Sequence, residues 1–162
     1  MHGEFGEMYI TGGTVNFTAS NAGAELGSTV GWTAGADQHG NAAVAGSTST
    51  GRLTLSPGTY LVTLDATLEG NHSSGFSGDF SGVVTAAIHS GGTLVAGSKS
   101  KVQTITEGLP MNAHVTKIVE ITQASQDAAT PTNYVSGYLY GGDASGNDVV
   151  ITEARISAVR LS

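Results

Sequence analysis

The run Ser56-Pro57-Gly58-Thr59-Tyr60-Leu61-Val62-Thr63-Leu64-Asp65-Ala66-Thr67-Leu68-Glu69-Gly70 decides the fold class. Behind a Pro-Gly turn, Tyr60, Val62, Leu64, Ala66 and Leu68 alternate with Thr59, Thr63, Asp65 and Thr67, the period of a strand with one buried face. The same period returns in Val83 to His89, Thr93 to Gly97 and Val115 to Thr122, each bounded by Gly, Ser, Asn or Gln. Two more strands, Tyr134 to Tyr140 and Asp148 to Leu161, flank the turn-forming run Gly141 to Asn147, and the second is long enough to carry a bulge. No window predicts a helix, because stretches of adequate length are broken by Gly or filled with Val, Ile and Thr, which suit a pleated surface. About six to ten short strands in one chain predict an all-β sandwich, jelly roll or barrel, since a single sheet would leave an apolar face and two edges uncovered.

Outward from this body, residues 51–162, the sequence changes character. Residues 1–18 read as an N-terminal arm with the first strands, Gly6-Glu7-Met8-Tyr9-Ile10 and Val15-Asn16-Phe17-Thr18. Residues 19–51 are mostly Ala, Gly, Ser, Thr and Asn, with Leu26, Val30, Trp32 and Val44 as the larger apolar anchors. That composition predicts a long loop packed on the domain, with one strand near Ser28 to Thr33, acting as a lid or docking segment. Neither a second domain nor a fixed-period repeat is visible.

The length of 162 residues suits one domain with a core of its own. A formal net charge of −7 argues against a nucleic-acid surface and against polybasic membrane contact. With no cysteine, the chain has no disulfide scaffold, thiolate metal site or cysteine nucleophile. The longest apolar run is four residues, Ala42 to Ala45, too short for a membrane span or a signal-peptide core, so the expectation is a soluble chain.

Chemistry-bearing patterns are sparse. His2, His39, His72, His89 and His114 show no metal-binding spacing, and His89 and His114 fall in strands, where a hydrogen-bonded or edge histidine is the simpler reading. The loop Asp143-Ala144-Ser145-Gly146-Asn147-Asp148 has oxygen ligands but not the Ca²⁺-loop pattern, and its residues are those a turn demands. No nucleophile elbow, phosphate loop or paired carboxylates emerge; Gly75-Phe76-Ser77-Gly78-Asp79 reads as loop. The expectation is therefore no catalytic residue, no metal and no cofactor.

The tyrosines carry more information. Alternation in Tyr134-Val135-Ser136-Gly137-Tyr138-Leu139-Tyr140 puts Tyr134, Tyr138 and Tyr140 on one face and Val135 and Leu139 on the other. A tyrosine face opposite an aliphatic one suits a subunit interface, and it equally suits packing between two sheets.

Three segments resemble the trimeric jelly-roll family that contains tumour necrosis factor and the globular heads of complement and collagen-like proteins. They are Pro57-Gly58-Thr59-Tyr60-Leu61-Val62, the Tyr134 to Tyr140 strand, and Ala154-Arg155-Ile156-Ser157-Ala158-Val159-Arg160-Leu161. The opening Gly3-Glu4-Phe5-Gly6-Glu7-Met8-Tyr9-Ile10-Thr11-Gly12-Gly13 resembles virion proteins of tailed bacteriophages with this head, including capsid decoration (cement) proteins and fibre heads. The resemblance implies an antiparallel two-sheet jelly-roll sandwich, trimeric, placed on the outer capsid surface of a virion and free of catalysis. In that reading Gly3, Glu4, Phe5, Glu7, Met8 and Tyr9 dock on the major capsid protein, while Tyr60, Tyr134, Tyr138 and Tyr140 form core or three-fold interface. The alternative is a receptor- or glycan-binding head of a fibre or spike, with Trp32, Phe76 and the loop Glu69 to Gly82 in contact with the host. An acidic protein outside the shell avoids repulsion by the packaged phosphates.

Overall fold

The computed structural model describes residues 4–16, 23–26, 33–34, 44–47, 49–71, 83–102, 109–141 and 148–162. In chain order the elements are β1 (Phe5–Ile10), β2 (Gly13–Asn16), β3 (Gly23–Glu25), β4 (Thr33–Ala34), β5 (Val44–Ser47), β6 (Arg52–Leu55), β7 (Gly58–Asn71), β8 (Val84–Ser90), β9 (Thr93–Leu94), β10 (Ser100–Val102), β11 (Met111–Ile121), the short helix α1 (Gln123–Gln126), β12 (Tyr134–Gly141) and β13 (Asp148–Arg160). They form two antiparallel sheets. The first runs β11-β7-β13-β1-β4, with β2 also on β13; the second runs β10-β8-β12-β6-β5, with β3 on β12 and β9 on β8.

The alternation read from Tyr60 to Leu68 holds: all five apolar residues are fully buried. They meet Ile151, Ala154, Ile156 and Ala158 of β13 and, from the second sheet, Leu53, Leu55, Val84, Ile88, Val135 and Leu139. Each such aliphatic side chain removed from water contributes about 1.5–3 kcal/mol, so this cluster dominates folding. Tyr60 closes one end of it, and its hydroxyl donates to the Ser56 carbonyl at 2.9 Å. At Gly137 the sheets approach so closely that a Cβ would stand 2.8 Å from Leu64 Cδ1 and 3.0 Å from Leu26 Cδ1.

The long last strand carries the bulge that its length allows: its register against β7 shifts between Ile151 and Glu153. Between β8 and β9, Gly91 and Gly92 both have positive φ (56° and 81°), as a tight two-residue hairpin requires.

Several expectations change. Thr93 to Gly97 is a strand only at Thr93–Leu94; the chain then turns, and Ser98 takes over, its Oγ donating to the Ile88 carbonyl at 2.9 Å and accepting from the Ile88 N–H at 3.1 Å. The strand expected from Val115 begins at Met111. Helix α1 was not foreseen; Thr122 caps it by accepting from the Ser125 N–H at 3.2 Å, a motif too short for periodicity to reveal. The segment 19–51 is more than loop, because β3, β5 and β4 join the two sheets. Of the strand expected near Ser28 to Thr33, only Thr33 lies among the described residues. The N-terminal arm is a sheet strand: β1 sits between β13 and β4, with Met8 and Ile10 in the core.

Candidate functional site

Two outward faces are available, one on each sheet. Strand register arranges the first sheet's outward side chains in rows across four strands. The first row is Phe5, Val159, Leu61 and Ile118, each opposite the next. It is wholly apolar, yet Leu61, Val159 and Ile118 are 36%, 38% and 63% exposed. Glu7, Ser157, Thr63 and Thr116 form the second row. The third is Tyr9, Arg155, Asp65 and His114.

In this third row the Asp65 carboxylate accepts from His114 Nδ1 at 2.5 Å and from Arg155 Nη2 at 3.4 Å. Thr116 Oγ1 meets His114 Nε2 at 3.0 Å, fixing the other side of the ring. Beside the row, next to the bulge of β13, lies a cleft of about 420 Å³ lined by Glu7, Tyr9, Asp65, Thr67, Asn112, Glu153, Ala154 and Arg155.

The second sheet's outward face is aromatic and polar. The imidazole of His89 stacks on Tyr138 at a centroid distance of 3.6 Å. Its Nδ1 donates to the Gly92 carbonyl at 3.1 Å. In that tautomer Nε2 is an acceptor, and the Tyr140 hydroxyl, 2.6 Å away, donates to it. Burial lowers the His89 pKa below its ordinary value and raises those of Tyr138 and Tyr140. Arg52 lies 4.3 Å above the Tyr134 ring and Lys99 Nζ 5.0 Å from that of Tyr140. Arg52 also holds Glu25 through two hydrogen bonds of 2.8 and 2.9 Å, which raise its pKa further. Under these rings the outward residues of β8, Thr85, Ala87 and His89, are buried. Ser136, beside His89 in register, is buried with its hydroxyl unpartnered among the described residues.

The structure separates the residues that the sequence grouped. Tyr134, Tyr138 and Tyr140 share one face as the alternation requires, and that face points outward rather than between the sheets. Tyr60 belongs to the core, fully enclosed by its own chain, and has no surface to offer another copy. Among the residues assigned to capsid docking, Gly3 lies outside the described residues. Met8 is fully buried, because alternation along β1 turns it inward. Glu4 is held by Arg160 at 2.7 Å. Phe5, Glu7 and Tyr9 remain on the outward face. His89 and His114 are both hydrogen-bonded, and no cluster of three or more metal-binding side chains occurs among the described residues. Trp32, Phe76 and residues 143–147 of the loop Asp143 to Asp148 lie outside the described residues. The apolar row and the cleft were missed; the first was latent in Leu61, a leucine on the polar side of an otherwise regular alternation.

No family model and no curated protein matches this sequence. Its fold is nonetheless similar to solved structures. The crystal structure of murine APRIL at pH 8.5 superposes with a TM-score of 0.50 over 98% of this chain and 100% of that one, at 7% identity. A looser match, the cryo-EM structure of Broad Bean Stain Virus, has a TM-score of 0.32 over 98% of this chain and 87% of that one, at 10% identity. The chain is thus an antiparallel two-sheet jelly roll, similar in fold to that APRIL structure.

Proposed function

We propose that this is a structural virion protein, a capsid decoration (cement) protein that binds the outside of a bacteriophage capsid as a homotrimer and stabilises it by binding rather than catalysis. The observation that supports self-association is the apolar row Phe5, Val159, Leu61 and Ile118. Water-exposed apolar side chains aligned over four strands form a continuous flat patch, and such patches mark association surfaces. Interfaces between copies of one chain are the more apolar kind, which fits this row.

The tyrosine face fits the other contact. Tyr and Arg are enriched where separately folded partners meet, and Tyr134, Tyr138, Tyr140 and Arg52 supply both types on a sheet-backed surface. This reading exchanges the roles expected from sequence, giving self-association to the first sheet and the major capsid protein to the second. An oligomer then multiplies each weak capsid contact through effective concentration. Bound copies raise the stability of the shell as any ligand of a native state does.

Light scattering and capsid co-sedimentation test it. The intact chain should run at three times its 16.3 kDa mass, Ile118→Asp with Val159→Asp should run as a folded monomer, and Tyr138→Ala should stay trimeric while losing capsid binding. A monomeric parent chain at micromolar concentration, or a trimer that ignores purified capsids, refutes the proposal.

A further inference from the structure

We infer that the cleft on the first sheet is a binding site for a neutral saccharide, a function separate from oligomer formation and from capsid attachment. Its volume of about 420 Å³ falls within the ~300–1,000 Å³ of small-molecule sites. Its lining is polar, with one aromatic ring at the margin, so it suits a hydrophilic ligand rather than an apolar one.

Charge narrows the class. Glu7, Asp65 and Glu153 face a single guanidinium, Arg155, with His114 alongside. An anionic ligand would be repelled by the carboxylate excess. A cation would lie close to Arg155, which is already engaged by Asp65. A sugar hydroxyl both donates and accepts, and the cleft offers both roles side by side. The carboxylates of Glu7 and Glu153 accept, and they engage no other described residue. Arg155 donates, as does Asn112, whose Nδ2 donates to Thr67 Oγ1 at 3.4 Å and retains a second N–H. Tyr9, 38% exposed, adds a ring and a hydroxyl to the lining.

The backbone supplies a further reason. Thr152 is the extra residue of the bulge, tied by its Oγ1 to the Thr67 carbonyl at 3.1 Å. In a regular strand, strict alternation from buried Ile151 would turn Glu153 inward; the bulge shifts the pattern by one residue, so Glu153 is exposed opposite Thr67 and Ala154 is buried. Bulges commonly re-aim a side chain in this way beside functional sites. Tyr9 is four residues along β1 from Phe5, about 13 Å at ~3.3 Å per residue, so the cleft lies at the margin of an interface centred on the apolar row.

The test titrates the full chain with maltotriose, cellotriose and chitotriose, with 3′-sialyllactose and trilysine as the anionic and cationic arms, using NMR shifts or calorimetry. At least one neutral trisaccharide should bind with Kd of about 1 mM or tighter. Glu153→Gln and Tyr9→Ala should each weaken it about ten-fold or more, with oligomeric mass and capsid binding unchanged. Asn112→Ala, at an exposed edge position, repeats the test if Tyr9→Ala fails to fold. The inference is overturned if no neutral trisaccharide binds at about 20 mM, if sialyllactose or trilysine binds more tightly, or if the variants leave affinity unchanged.

Discussion

The imidazole of His89 and the phenol of Tyr138 stack with their planes 11° from parallel, and the hydrogen bonds that hold the imidazole there fix which nitrogen carries the proton. With Nδ1–H on the Gly92 carbonyl, Nε2 receives the Tyr140 hydroxyl. A second proton on Nε2 would face that hydroxyl proton and force it to turn away. Burial acts in the same direction, lowering the His89 pKa below its ordinary 6.5.

The sign of the pH dependence follows. Because the unfolded chain takes up this proton more readily than the folded one, the His89 contribution to stability is full above about pH 6.5 and is lost as the solution is acidified below it. His89→Gln should therefore flatten the acid limb of a denaturation-against-pH series relative to the parent chain. An unchanged acid limb would show that His89 does not contribute to it.

Gly137→Ala should cost about 1–3 kcal/mol, the usual range for overpacking a filled core. Leu64 and Leu26 are both fully buried, so neither has space to retreat from the new methyl group. Urea denaturation reads the loss directly; a neutral result would mean that the two sheets separate at this point at little cost.

Arg160 ties three points together: Glu4 at 2.7 Å, the Pro57 carbonyl at 3.0 Å and the Ser162 carbonyl at 3.3 Å. Its side chain is a third exposed, so Arg160→Ala should cost only about 1 kcal/mol globally. The larger effect should be local, as faster amide exchange in β1 and at Thr59. Uniformly faster exchange in every strand would contradict a local latch.

Ile118→Thr should leave stability within about 0.5 kcal/mol in the monomer, since surface substitutions rarely exceed that. In the oligomer the same change should lower the apparent melting temperature in a concentration-dependent way, because subunit binding and folding are linked. Scanning calorimetry at several protein concentrations distinguishes the two cases.

Much of the first sheet was legible because its strands are half-buried. Tyr60 to Leu68 alternates cleanly, and one glance at period two assigns its inward face. The tyrosine strand was legible for the same reason, although alternation alone left open whether its aromatic face looked outward or toward the other sheet. What stayed hidden depends on pairing between distant segments. Nothing near Phe5 announces that it stands opposite Val159, and nothing near Leu61 announces Ile118. The cleft depends on a one-residue slip at Thr152, which moves Glu153 from one side of a sheet to the other. Short strands such as Gly23–Glu25 and Thr33–Ala34 have too few residues to show a period and exist because a neighbour supplies the partner.

The pairing of β1 with the last strand brings the Glu4 carbonyl within 2.7 Å of the Arg160 N–H. Polypeptide therefore enters and leaves the sandwich at a single corner. Reporters placed beside Glu4 and beside Arg160 would be displayed as close neighbours. The corner adjoins the Phe5 row and lies farther from the Tyr9 row, so bulky groups at this corner would crowd association before they obstruct saccharide access.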